Sequence, residues 1–483
     1  MKIVLAVVLA ILFVACGGGN DDELIGYGNG VKADENIPVD PANGYEIPPP
    51  PDVPRYNEYR VSLNIDPAAN TVSGISRITF TNRAAVPLET IVLRVYLNAF
   101  MDSPHKLMEI QYASLDHESL EFELSDTVLT LVLPEQLKPN ATVQLLLQYD
   151  AIIPRISQRT GRNDFAMWFG MFLPVLSVFD GEYWHTDAHY SVGHPFLLET
   201  ANYSVEIVTP LRYTVVGTGL RTEEVTADTK VTRFSAHQAR DFSFALSPYF
   251  QHAVTQTESG INIHLYHYTD TLDSDEILYM MRQSMEHFEA RVGIFPFGHV
   301  TIVEANLPHR NASFSQVVFV DSAYLAWGGR YWGVAHGLGN QWFANIVGTN
   351  RIAEPWLTEG LTRFVQTGLF YSTPETLRER MEADFVSIKN RTTLYLYRGL
   401  YASPDNVHYA HAHGRKAMLM VYSLYIRMGE DVFWEFIAEY FQTFSFGIAT
   451  VESFISLAEQ FYGASLREFF DEWLYTGTVP PLP

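Results

Sequence analysis

Between residue 57 and about residue 250, apolar and polar positions alternate in short runs. Tyr59, Val61, Leu63 and Ile65 fall on one side of such a run and Arg60, Ser62 and Asn64 on the other, as in a strand with one buried face. Comparable runs at 74–82, 89–100, 128–134, 141–150, 202–210 and 213–219 are separated by Asn, Gly and Pro, and together they predict a β-sheet domain over 57–252. After about residue 270 the period changes. Ile277, Met281, Met285, Phe288 and Val292 recur at helical spacing behind the acidic turn Asp273-Ser274-Asp275-Glu276. Further helical stretches are predicted at 331–347, 376–389, 413–428, 431–443, 450–462 and 465–474. The expected class is therefore α+β, with a β-domain at 57–252 followed by a mainly helical domain at 253–483.

The amino end follows neither period. After Lys2 comes an unbroken apolar run from Ile3 to Val14, too short for the roughly 20 residues a membrane-spanning helix needs but suited to a secretory signal. Ala15-Cys16 then resembles the lipobox of bacterial lipoproteins, with Phe13 where that pattern usually has Leu. The resemblance implies a signal peptide at 1–15, lipidation of Cys16 and a lipid-anchored, extracytoplasmic place in a bacterial cell envelope. Cys16 is the one cysteine of the 483 residues, so an intrachain disulfide is excluded. Residues 16–56, with Gly17 to Gly19 and Pro48 to Pro51, offer little apolar surface and are expected to act as a tether.

Composition narrows the function. With 47% hydrophobic and 18% charged residues the chain is not a disordered polymer, and its net charge of −23 opposes nucleic acid and a body lying flat on anionic lipid.

The stretch from Gly333 to Phe364, GVAHGLGNQWFANIVGTNRIAEPWLTEGLTRF, carries the candidate chemistry. A gluzincin-type zinc hydrolase sets two His at i and i+4 on one helix, with a Glu after the first as general base. A carboxylate from a later helix completes the zinc ligands. In this chain Glu359 stands 19 residues after Asn340, inside Trp356-Leu357-Thr358-Glu359-Gly360, and Gln341-Trp342-Phe343 follows the motif. Both features resemble the aminopeptidase N family, whose corresponding segments are of the W-L-N-E-G and H-Q-W-F types. Residues 59–100 resemble the opening of that family's saddle-like β-sandwich domain, and 466–483 the end of its thermolysin-like domain. The resemblance implies that fold from about residue 57 to the end.

It also implies a degraded site. The zinc motif has become His336-Gly337-Leu338-Gly339-Asn340, with Gly337 in place of the general-base Glu and Asn340 in place of the second His. A neutral amide is a poor zinc ligand, which leaves His336 and Glu359. Gly337 and Gly339 each cost the helix about 1 kcal/mol relative to Ala. Ser313 falls near the position whose Glu holds a substrate's α-amine in the family. His413, in HGRKAM, falls at the position of the transition-state Tyr, with Tyr409 one helical turn earlier as the weaker substitute. The leading expectation is a membrane-anchored, catalytically silent relative that binds a peptide, glycan or protein in its old cleft and needs no cofactor. One alternative is a zinc aminopeptidase rebuilt on His336, Glu359 and His413, the last from the histidine cluster His408, His411 and His413. The other is a structural surface protein.

Overall fold

The computed structural model describes residues 56–101, 106–308, 311–326 and 330–483. The expected signal peptide, Cys16 and all but the last residue of the tether lie outside the described residues.

The first strand shows why the amino-terminal half is a sandwich. Asn57–Asp66 alternates buried and exposed positions throughout, sending Tyr59, Val61, Leu63 and Ile65 inward. It is central in an eight-stranded sheet whose order is Leu220–Val225, Thr229–Ala239, Ala201–Pro210, Asn57–Asp66, Thr71–Thr81, Thr142–Ile152, Met108–Leu115 and Glu118–Ser119. Its pairing with Ala201–Pro210 is parallel and its pairing with Thr71–Thr81 antiparallel. Two four-stranded sheets, built around Leu88–Arg94 and Phe244–Ser247, share one continuous core with it. The run at 89–100 departs from expectation, because after Arg94 it turns into a short 3-10 helix at Tyr96–Ala99.

The carboxyl half contains a sheet that the change of period conceals. Gln251–Gln256, Asn262–His267, His299–Ala305, Val317–Asp321 and Asn311–Phe314 pair in that order, and the expected boundary at 252/253 falls inside the first of them. The strands His299–Ala305, Val317–Asp321 and Asn311–Phe314 are short and buried nearly throughout, so the first two carry continuous apolar runs instead of alternating. Helices pack on this sheet. Ser274–Arg291 starts where Asp273 accepts a hydrogen bond from the Glu276 amide at 3.0 Å, and it buries Ile277, Met281, Met285 and Phe288. Arg330–Asn340, the motif helix, runs without a break into a π-helical turn at Gln341–Ile346 whose six residues are all buried. Pro355–Phe370, the glutamate helix, begins with Pro355 at its first turn.

Arg240 rivets the halves together. From the end of the sandwich strand Thr229–Ala239, its guanidinium donates to the carbonyls of Leu198, Asn345, Ile346 and Gly447 at 2.7 to 3.2 Å. Burial lowers its pKa to about 10, so it remains charged at neutral pH.

Candidate functional site

The motif helix lies against the edge strand Asn311–Phe314, and glycine permits the close approach. A Cβ on Gly337 would sit 2.5 Å from Val318 Cγ1, and one on Gly339 would sit 2.3 Å from the Phe288 ring. The two glycines that weaken the helix in isolation are the positions where its neighbours fill the space. Three further bonds fix the contact. Asn311 Nδ2 donates to Gly333 O at 2.8 Å, Ser313 Oγ to Gly337 O at 2.8 Å, and Gln341 Nε2 to Phe314 O at 2.9 Å.

Ser313 is therefore a brace. It also accepts from Gln341 Nε2 at 3.0 Å and Asn345 Nδ2 at 3.1 Å, so its hydroxyl is committed to the helix. A substrate amine would need an anion at this position, and Ser313 supplies none.

His336 and Glu359 do come together. Their side chains meet at 3.3 Å between Nε2 and Oε2 across the motif and glutamate helices, at the floor of a cleft of about 360 Å³ that His194, Asp321, Arg363 and Tyr409 also line. His336 Nδ1 lies 3.3 Å from Gln366 Oε1. Two arginines complete the surroundings of the carboxylate. Arg351 Nη2 is 3.9 Å from Glu359 Oε1, and Arg363 Nε is 3.9 Å from Oε2. Burial raises the Glu359 pKa, but His336, Arg363 and Arg351 together outweigh it and hold the carboxyl at about 2.

Asn340 takes no part in this cluster. It is fully buried, and its Oδ1 accepts from Thr362 Oγ1 at 3.0 Å. Its Nδ2 has no hydrogen-bond partner among the described residues and has no free lone pair to offer a metal.

His413 and Tyr409 differ in their access to the cleft. His413 is 1% exposed, bonded to the backbone of Gly399, and pushed down to about 4 by burial; it does not line the cleft. Tyr409 does line it, and burial together with the charge of Glu359 raises its hydroxyl pKa well above the ordinary value. A π-helical segment, Ala410–Lys416, begins just after Tyr409 and contains His413, so the two do not share the facing that an unbroken α-helix would give residues one turn apart. His408 and His411 do not join it: among the described residues no three His, Cys, Asp or Glu side chains form a metal-holding group.

These residues do not fit a zinc ion. His336 and Glu359 offer one imidazole and one carboxylate, the amide of Asn340 is turned to Thr362, and two guanidinium groups already neutralise Glu359. A divalent cation there would face both arginines at close range.

Two helices thus present a His and a Glu to one cleft, which His194 from the sandwich also lines. Residues 332–473 match the peptidase family M1 domain. The fold agrees over nearly the whole chain. A solved M1 zinc metallopeptidase from Deinococcus radiodurans superposes with a TM-score of 0.70 at 16% identity, covering 89% of this chain and 96% of that one. A mutant of it bound to a Tyr-ser-ala substrate gives 0.69 at 17%, with the same coverage. No curated protein matches the chain in sequence. This chain thus shares the fold of those structures, while Arg351 and Arg363 stand beside its Glu359. Arg363 was legible as a partner, since it stands one helical turn after Glu359. Arg351, in the turn before the glutamate helix, and His194, from the sandwich, gave no signal in the sequence.

The Glu359 pKa yields a pH prediction. Its folded value of about 2 lies below the ordinary 4.5, so the stabilisation is present above about 4.5 and is lost as pH falls through about 2. The difference in urea midpoint between the native protein and Glu359→Gln should be constant above that window and shrink within it. A difference undiminished near the bottom of the window would show that Glu359 is not ionised in the folded state.

Proposed function

We propose that the protein is a lipid-anchored, catalytically silent M1-type scaffold whose cleft binds a ligand, with a peptide the favoured class. The observation that carries this reading is the surroundings of Glu359, where Arg351, Arg363 and His336 stand close to its carboxylate. Loss of the general base at Gly337 supports it further, since a positioned base contributes about 10² to 10⁴-fold to a rate. The substrate-bound relative supports a peptide as occupant, because that structure holds a Tyr-ser-ala substrate on the same fold.

Purified protein should release no product from unblocked amino-acid p-nitroanilides, with or without added zinc, while binding short peptides measurably by calorimetry. Turnover that appears with zinc and stops with a chelator would replace this reading with that of a metallopeptidase. The anchor is tested separately. Cys16→Ser should abolish incorporation of radiolabelled fatty acid and move the protein out of the membrane fraction. Labelling that persists in that variant would refute lipidation at Cys16.

A further inference from the structure

Arg363 lines the cleft, Arg351 borders the small cavity behind it, and Arg159 donates to the carbonyl of the cleft-lining Gly193, in a chain whose net charge is −23. Arg351 and Arg363 flank Glu359, and burial together with the charge of Arg351 lowers the pKa of Arg159. The nearby carboxylates do not balance them. Asp241 accepts from the Ser315 amide at 3.1 Å and sits beside Arg240, and burial raises its pKa to about 7. Asp321, which lines the same cleft, is held by the backbone amides of Leu307 and Ala323, each at 3.0 Å. Glu359 is the carboxylate that both Arg351 and Arg363 approach.

Arg351 is the informative member. It is 8% exposed, yet its Nε and Nη2 have no hydrogen-bond acceptor among the described residues, and its nearest ion pair is the long contact to Glu359. It borders a small cavity of about 30 Å³ that shares His194 with the cleft. Arg159 Nε, likewise buried, also lacks an acceptor. Buried donors that carry charge and lack acceptors are costly, and an excess of cations in a low-dielectric site favours an incoming anion. The guanidinium presents a planar fork that matches a carboxylate.

We propose that the cleft floor is a carboxylate-binding site, in which Arg351 and Arg363 take the free carboxylate of a peptide or small organic acid beside Glu359. This rests on the reading of the cleft as a binding site, and it adds the chemistry of the group bound. The ligand end recognised is then an acid, where an aminopeptidase recognises an amine.

The test uses the full chain in detergent, with Ala-Phe-Ala, its carboxyl-terminal amide, acetate and chloride as probes in calorimetry and thermal melting. The free acid should bind about tenfold or more tighter than the amide, acetate should raise the melting temperature more than chloride does, and Arg351→Gln and Arg363→Gln should each erase the preference. Arg363 is more exposed than Arg351, so Arg363→Gln keeps the test open if Arg351→Gln fails to fold. Equal binding of acid and amide would overturn the carboxylate site and leave a peptide-binding cleft standing. An acetate effect without peptide binding would support the carboxylate site while removing the peptide. Stabilisation by chloride alone would overturn the carboxylate assignment in favour of an inorganic anion.

Discussion

Glu359→Gln should destabilise the fold by about 3 to 5 kcal/mol, the cost of removing one partner from a buried ion cluster. The glutamate is 3% exposed and is approached by His336 at 3.3 Å and by Arg351 and Arg363 at 3.9 Å. The amide keeps the size and shape of the side chain, so the loss reports charge rather than packing. Removing Arg351 as well should return much of it, because the double variant Glu359→Gln/Arg351→Met no longer leaves that guanidinium without its anion. Urea midpoints of the two single variants and the double give the coupling. A loss under about 1 kcal/mol for Glu359→Gln would mean that solvent already screens the cluster.

Gly337→Glu should also cost about 3 kcal/mol or more and should restore no hydrolysis. The substitution rebuilds the general base of the resembled family on paper, but the space is taken. The first atom of the new side chain would meet Val318 Cγ1 at 2.5 Å, and Val318 is a fully buried, β-branched residue in a central strand of its sheet. The carboxyl would then be driven between the helix and a sheet already joined by the bonds of Asn311 and Ser313. Gly337→Ala should cost less, about 1 to 2 kcal/mol, because better helix propensity offsets part of the clash. Chemical denaturation of the two variants separates the effects. A Gly337→Glu protein as stable as the original, or one with zinc-dependent turnover, would show that the helix and strand can part to admit the base.

The alternation from Tyr59 to Ile65 gave its strand directly, because one face of that strand is buried and the other is wet. The strands His299–Ala305 and Val317–Asp321 carried no alternation to read, since both faces are covered. At the site, the spacing from His336 to Glu359 placed both side chains in one cleft, because that distance is set by two helices and their connection. Tyr409 lines the cleft and His413 does not, and the π-helical segment Ala410–Lys416 that holds His413 has no compositional signature. Arg351 and Arg159 were invisible for another reason. Each comes near the cleft only through tertiary folding, Arg351 from a turn to the side of Glu359 and Arg159 from the sandwich domain to the carbonyl of Gly193.

The rivet formed by Arg240 bears on how quickly and selectively the cleft can fill. One side chain holds carbonyls on either side of the domain junction, at Leu198, Asn345, Ile346 and Gly447. Opening the junction would strand a buried guanidinium, a cost that opposes any widening of the cleft before a ligand arrives. A receptor set in advance loses little conformational entropy on binding, and its association rate is governed by encounter at the mouth rather than by a closing motion.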